Sequence, residues 1–377
     1  QPDEKGERIT MKKNVAEVIK IGGALVAFIV GSGFATGQEL LQYFASFGLL
    51  GILGCIVAMV FYIYLSVSFL KLGKENSITS VNEVFFYYCG EKAGRIFEFV
   101  AFSYMILSFI TFLSGAGASF HQYLGLPNAV GSLILAAASM ITAILGLRKV
   151  VDIIGAVGPV IIVTTIATAA TFLIQNFGGF TEGFSTVSML DIPQPSENWL
   201  ISGFMYASFM SLSLAPFLPM VGATANCTKN AVWGGIIGIV SLGVTIITIS
   251  LAFLSDIELV HAQMIPTLYI AGQISPFLGL FFIVIVLLGI YTSAAPMLWN
   301  FSARFAKEKT KKFNILVIAL GIVCLVSGAV IPFDVLVNKI YSFYGYIGAV
   351  FMVFMIVKQI RVRNERKKYG TLPQKTL

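Results

Sequence analysis

A short run of glycines and polar residues interrupts the first long apolar segment of the chain. From Gly31 the sequence reads GSGFATGQE. Glycine has no Cβ atom, so the backbone can leave a helix there and a ligand can approach it closely. Freed N–H groups at such a break favour a carboxylate. We therefore interpret Gly31, Ser32, Gly33 and Phe34 as a binding site, the alternative being glycines that only let helices pack closely.

Glu39 follows this run and has two interpretations. Thr36 and Glu39 have the spacing of a capping box, in which the glutamate side chain bonds back to the amide of the threonine and starts a new helix. A carboxylate within a membrane span is also a functional candidate by default, either for a substrate amine or for a coupling proton. The two roles are compatible.

A second interruption is predicted in a later apolar segment, which reads SLSLAPFLP from Ser211. Pro216 and Pro219 cannot donate backbone hydrogen bonds, and each disfavours helical angles in the residue before it. Ser211 and Ser213 could bond the freed backbone or a ligand, and Phe209 could shape the pocket. The alternative is a simple proline kink without a ligand site.

The composition places most of the chain in lipid. Of its 377 residues, 57% are hydrophobic and 11% charged, with a mean hydropathy of +0.88. Soluble globular domains do not have this balance. The sequence contains no nucleophile with a base partner, no cysteine–histidine metal spacing and no phosphate-binding loop, which argues against an enzyme.

Ten segments are each long enough to cross roughly 30 Å of hydrocarbon. They are residues 18–45, 48–71, 96–122, 128–147, 153–175, 198–222, 231–254, 276–301, 313–330 and 336–357.

The distribution of basic residues predicts the orientation. With ten spans and a cytoplasmic N-terminus, every Lys and Arg except Lys339 falls inside, while the long outer segments carry only acidic charges. We expect a multi-pass protein of the cell membrane with both termini in the cytoplasm. The basic tail, 358–377, would then lie against anionic lipid, which accounts for the positive charge without nucleic acid. Residues 1–10 are interpreted as an extension that precedes a native start at Met11.

Two connections are expected to be structured. Residues 76–94 have apolar side chains at helical spacing and predict a cytoplasmic amphipathic helix. Residues 256–275 predict a short outer hairpin over the entrance of the site.

The four residues Gly31 to Phe34 resemble the Gly-Ser/Ala-Gly-Ile-Phe signature in the first helix of amino acid–polyamine–organocation transporters. The resemblance implies the all-α leucine-transporter fold, with one domain over residues 11–357 and two inverted five-helix repeats, 18–175 and 198–357. It also implies discontinuous first and sixth helices and alternating access. Because the segment from Gly37 to Glu39 is outside the general pattern, the chain would belong to a divergent bacterial branch.

The same resemblance implies a sodium site. In sodium-coupled members of this fold, two adjacent hydroxyls of the eighth helix bind the ion together with backbone carbonyls, and a hard cation prefers such oxygen ligands. The corresponding side chains here are Thr292 and Ser293, and the carbonyls are those of Ala27, Val30 and Gly289. The alternative is that both hydroxyls bond carbonyls one turn back in their own helix.

These features together predict a sodium-coupled symporter for a small carboxylate-bearing solute such as an amino acid. The solute carboxylate would lie on the 31–37 break, and Ser211 and Ser213 would contact its amine. Proton coupling through Glu39 and a nutrient-sensing membrane receptor subunit remain alternatives. The expected partners are the solute and membrane lipid, with Na⁺ as coupling ion, no organic cofactor and no obligate protein partner.

Overall fold

The computed structural model describes residues 4–76 and 83–369, without the side chains of residues 4–12, 147–158, 366, 368 and 369. Its described regular structure consists of α-helices and short 3₁₀ turns. The α-helices are α1 (Glu4–Ile29), α2 (Ser32–Thr36), α3 (Gln38–Tyr43), α4 (Leu49–Asn76), α5 (Glu83–Leu124), α6 (Asn128–Leu145), α7 (Leu147–Gln175), α8 (Phe180–Thr186), α9 (Trp199–Thr224), α10 (Thr228–Leu254), α11 (Ile257–Val260), α12 (Pro266–Ile274), α13 (Pro276–Phe305), α14 (Lys311–Val330) and α15 (Phe333–Tyr369).

Most of the predicted spans are present as single long helices. Within the described residues, eight helices are long and apolar enough to cross a membrane, and a bent pair raises the number to nine. The eight are α4, α5, α6, α9, α10, α13, α14 and α15. The other two predicted spans correspond to the segmented α1–α3 and to α7, whose part from Pro159 is bent by 74° against residues 177–189. The arrangement of ten spans in two inverted repeats stays a prediction.

The predicted connections are helical where the structure describes them. α5 begins at Glu83 and bends at Gly90, whose φ is 71°, so a short helix precedes the long one. Residues 77–82 of the predicted amphipathic helix lie outside the described residues. The outer hairpin consists of α11 and α12. The tail begins as a continuation of α15 up to Tyr369, and residues 370–377 lie outside the described residues.

α9 is the central helix of the fold. In its most apolar part 78% of the residues are buried, against 28% in α14. Glycines bring α9 and α4 together, because Gly203 packs on the Gly54 backbone and Gly73 on the Pro219 carbonyl. Such small-residue contacts let two backbones approach in a membrane, where dispersion rather than water drives association.

The predicted break in the sixth span is wrong. Pro216 and Pro219 both lie inside the continuous helix α9. Close packing on α4 from Gly73 and Gly222 holds this part of the helix in place. Prolines are tolerated in such helices because neighbouring helices and serine side chains stabilise the backbone around them.

Candidate functional site

The first span is interrupted twice, as two short helices follow α1. Gly31 is extended, with φ −87° and ψ −163°, and Gly37 is left-handed, with φ 85° and ψ −6°. The Gly31 N–H would reach the Ala27 carbonyl in a continuous helix, but it donates to the Ile29 carbonyl at 2.7 Å instead. The break therefore releases the Ala27 carbonyl from its helical partner.

The helix α13 passes beside this break. The Ser293 hydroxyl donates to the Val30 carbonyl at 3.5 Å, and Gly289 faces Ala35 and Val30. The Thr292 hydroxyl donates to the Gly289 carbonyl at 2.7 Å. Ala27, Val30, Thr292 and Ser293 are all buried.

These contacts test whether the residues fit a cation. The structure brings together an interrupted backbone and two hydroxyls, which are the hard oxygen donors that Na⁺ requires. Sequence reasoning named the whole set, and the structure places Val30, Gly289 and Ser293 in one neighbourhood. Both hydroxyls donate to carbonyls in this structure. A bound ion would replace these hydrogen bonds and would be coordinated by the carbonyl and hydroxyl oxygens.

Ser32 lies in the break with no hydrogen-bond partner among the described residues. Its hydroxyl is fully buried and faces Gly115 of α5. The rings of Phe112 and Phe333 lie next to Gly31 and Gly115, respectively, and form an apolar wall there. A buried hydroxyl without a partner costs free energy, and in native proteins it commonly marks a place for water or a ligand.

The capping box at Thr36 and Glu39 does not form. Gly37 is the residue before α3, and its left-handed backbone places the Thr36 hydroxyl as acceptor for the Gln38 N–H at 3.4 Å. The Glu39 carboxyl folds back over Gly33, where a Cβ atom would collide with it. Glu39 therefore does not act as the helix cap that its spacing from Thr36 suggested.

Glu39 is instead surrounded by tyrosines. Its side chain is 2% exposed, and Oε2 accepts a hydrogen bond from the Tyr206 hydroxyl at 3.1 Å. Four further buried tyrosines pack around this pair: Tyr43 and Tyr62 contact the ring of Tyr206, and Tyr104 and Tyr341 contact the ring of Phe209. Phe209 completes the cluster, stacked on Tyr341 with ring centroids 4.9 Å apart.

The two serines of α9 do not form part of this cluster through their hydroxyls. Ser211 donates to the Ser208 carbonyl at 2.6 Å, and Ser213 donates to the Met210 carbonyl at 3.1 Å. Ser211 also lies against Gly348 of α15. Their hydrogen bonds are therefore those of ordinary serines in a membrane helix.

The helix pair α11 and α12 and the start of α15 cover one side of the site. The Gln38 amide donates to the Gln263 carbonyl at 3.0 Å, and the Thr267 hydroxyl donates to the Ala35 carbonyl at 2.7 Å. The Gln42 amide reaches the Asp334 carbonyl at 3.3 Å. These contacts join α2 and α3 to the outer hairpin and to the start of α15.

Sequence reasoning did not name Tyr206, the hydrogen-bond partner of Glu39. Nothing in its local sequence distinguishes it from a packing aromatic residue. The available signal was general: a tyrosine in an apolar span needs a hydrogen-bond partner for its hydroxyl.

Comparison with known proteins agrees with this architecture. No protein-family model matches the chain. The uncharacterized membrane protein YkvI of Bacillus subtilis (strain 168) is 24% identical over 356 residues, which cover 93% of this chain and 98% of YkvI.

Several solved structures share the fold. MhsT in complex with L-phenylalanine is similar with a TM-score of 0.63 and 17% identity, over 89% of this chain and 88% of that one. A Na⁺-coupled sialic acid symporter in a substrate-bound outward-open state has a TM-score of 0.62 and 14% identity, over 90% and 78% of the chains. A manganese transporter of Eremococcus coleocola has a TM-score of 0.56 and 13% identity, over 96% and 81%. These solved relatives are membrane transporters and not enzymes, and the similarity establishes that this chain has the fold of leucine-transporter-type proteins.

Proposed function

We propose that this chain is a sodium-coupled secondary transporter of a small solute such as an amino acid. The observation that carries the proposal is the contact between the broken first span and α13, where the Ser293 hydroxyl meets the Val30 carbonyl. A cation bound there would tie the segmented first span to the continuous helix α13. Sodium binding would thereby favour one conformation, and a solute that prefers the same conformation would be coupled to it.

The solute site would lie at the same break. Gly31 and Ser32 supply interrupted backbone beside Gly33, which the Glu39 carboxyl covers, and the buried Ser32 hydroxyl has no partner among the described residues. The similar structures include one that holds L-phenylalanine and one described as Na⁺-coupled, which supports this class of solute and ion. The protein would work in the cell membrane with both termini in the cytoplasm.

Proton coupling is the second candidate, because Glu39 is a buried carboxylate within the same span. A proton carried by Glu39 would also change the charge of the site during transport. The two candidates differ in whether sodium itself binds the protein.

The test removes both proposed hydroxyl ligands with the double substitution Thr292→Val and Ser293→Ala. Purified protein is unfolded thermally in NaCl and in KCl at equal ionic strength. We expect sodium to raise the midpoint of the wild type, because a ligand that binds only the native state stabilises it by mass action, about 2.7 kcal/mol at a hundredfold excess over Kd. The double variant should lose this difference.

A matched control carries Thr164→Val and Ser327→Ala, which remove hydroxyls that bond their own helices at Val160 and Val323. This variant should keep the response to sodium. Equal midpoints of the wild type in the two salts would contradict the proposal and leave proton coupling as the candidate.

A further inference from the structure

We propose that Glu39 binds an ammonium group on the transported solute and that the surrounding tyrosines form the walls of that subsite. The inference rests on the proposed transport function and specifies its substrate class: a solute with an organic ammonium group. Of the two interpretations that the sequence offered for the amine, Glu39 or the pair Ser211 and Ser213, it takes Glu39.

If Glu39 is ionised in this buried position, it requires a positive partner. An ionised carboxylate removed from water is strongly unfavourable unless it is paired, and hydrogen bonding by one neutral hydroxyl does not balance its charge. The described contacts of Glu39 are the Tyr206 hydroxyl and the Gly33 backbone.

Basic side chains of the chain itself are remote in sequence from this site. There is no Lys or Arg between Lys20 and Lys71, the segment that holds Glu39, Tyr43 and Tyr62. None lies between Lys149 and Lys229, the segment that holds Tyr206. Lys339 is near Tyr341 in sequence, but its side chain is exposed. Within the part of the chain that the structure describes, Glu39 forms no ion pair, so a bound solute could supply the positive partner of its ionised form.

The rings around Glu39 indicate the chemistry of that partner. Tyr206 packs edge-on against Tyr43, Tyr62 and Phe209, with ring centroids 5.3, 5.7 and 5.4 Å away. Aromatic faces attract organic ammonium ions, which carry diffuse charge and little hydration, and a carboxylate among them adds a direct ion pair. Sodium, a hard ion, prefers the carbonyls and hydroxyls at Val30 and Ser293.

The position of the carboxyl connects this subsite to the break. Glu39 folds over Gly33, and the residue before Gly33 is Ser32, whose buried hydroxyl has no partner among the described residues. This hydroxyl is a second, independent sign of a ligand, because it could bond a polar group of the solute. A small amino compound can thus meet Glu39 with its ammonium group and Ser32 with another polar group.

The experiment measures thermal stabilisation of the purified full-length protein in NaCl. The probes are the twenty amino acids, each with the amine that lacks its carboxylate and the acid that lacks its amine. The wild type is compared with Glu39→Gln, Tyr206→Phe and the control Glu182→Gln, which changes an exposed carboxylate. Glutamine still accepts the Tyr206 hydrogen bond, so Glu39→Gln preserves local packing while it removes the charge.

We expect stabilisation of the wild type by amino acids or amines, and none by the acids. Glu39→Gln should weaken that binding about tenfold or more, which corresponds to about 1.4 kcal/mol. Tyr206→Phe should weaken it less, since the ring remains, and Glu182→Gln should bind as the wild type does.

Three results would overturn the inference: acids that bind as well as amines, unchanged binding in Glu39→Gln, or no stabilising ammonium compound in the panel. Loss of the sodium response in Glu39→Gln, with ammonium binding kept, would also overturn it and make Glu39 a sodium ligand. The sodium-coupled function is contradicted by a separate result, which is an equal midpoint of thermal unfolding of the wild type in NaCl and KCl.

Discussion

At the scale of single residues, Gly33 and Glu39 share one place in the site. The carboxyl of Glu39 occupies the space where a side chain at position 33 would begin. A glycine is therefore required there by a neighbour six positions along the chain. In this structure the Glu39 carboxyl therefore covers the Gly33 backbone, where the sequence analysis placed a solute carboxylate.

We predict that Gly33→Ala destabilises the protein by about 1–3 kcal/mol, because the added methyl group must displace the Glu39 carboxyl from its buried position. Thermal unfolding measures this change. Without a collision, alanine in the helix α2 would instead stabilise it slightly.

The matched control is Gly23→Ala in α1, where a Cβ would meet only the Pro159 side chain at 4.0 Å. It should be neutral or slightly stabilising. Equal stability of the two variants would show that Glu39 can move away from Gly33 at no cost.

At the scale of elements, the helix α1 is tied at Glu17 to the junction of α9 and α10. The Asn226 N–H donates to Glu17 Oε1 at 2.6 Å, and the Asn230 amide donates to Oε2. The Lys74 ammonium on α4 donates to the Ala225 carbonyl at 2.6 Å. The four long helices α1, α4, α9 and α10 thus meet at this group of hydrogen bonds, which must loosen if α1 moves during transport.

This contact predicts a dependence of stability on pH. Burial acts to raise the pKa of Glu17, but the hydrogen bonds from Asn230 and Asn226 and the charge of Lys74 outweigh it and lower that pKa below its usual value. A lowered native pKa means that the stabilisation is present above the pKa of the unfolded chain and is lost as the pH falls through the native pKa.

We expect Glu17→Gln to lower stability at neutral pH by about 0.5–1 kcal/mol, since the contact is solvent-exposed, and to have no effect at acid pH. Thermal unfolding of both proteins across this pH range measures the difference. Glu75→Gln, an exposed carboxylate on α4, serves as the control and should change little at either pH. A Glu17→Gln effect that is the same at neutral and acid pH would assign the contact to packing rather than to charge.

At the scale of the whole molecule, the distribution of basic residues predicts an orientation in the membrane. Glu182 lies on α8, which the positive-inside distribution places outside. Lys309 lies between α13 and α14 on the predicted cytoplasmic side, and both side chains are exposed.

We predict that a cysteine introduced at Glu182 reacts with an impermeant thiol reagent in intact cells, whereas one introduced at Lys309 reacts only after lysis. Cys227, the exposed native cysteine, is first replaced by serine to remove its background. The reverse pattern of labelling would invert the orientation of the site and of its outer cover.

Many features of this protein follow from the sequence because lipid imposes local rules on the chain. Apolar length predicted the long helices, and the run of glycines predicted that the first span is interrupted at Gly31. The adjacent hydroxyls Thr292 and Ser293 were predicted through a resemblance, and Ser293 does contact Val30, 263 positions away. No spacing rule alone would have joined those two residues.

Only the tertiary structure decided the rest, because the deciding contacts are remote in sequence. Pro216 and Pro219 indicate a break by local rules, but packing on α4 keeps α9 continuous. The pairing of Glu39 with Tyr206 spans 167 positions and replaces the local capping box. Local propensity is weak compared with the burial of a side chain, so the fold assigns Glu39 to a tyrosine cluster that its neighbours in sequence could not reveal.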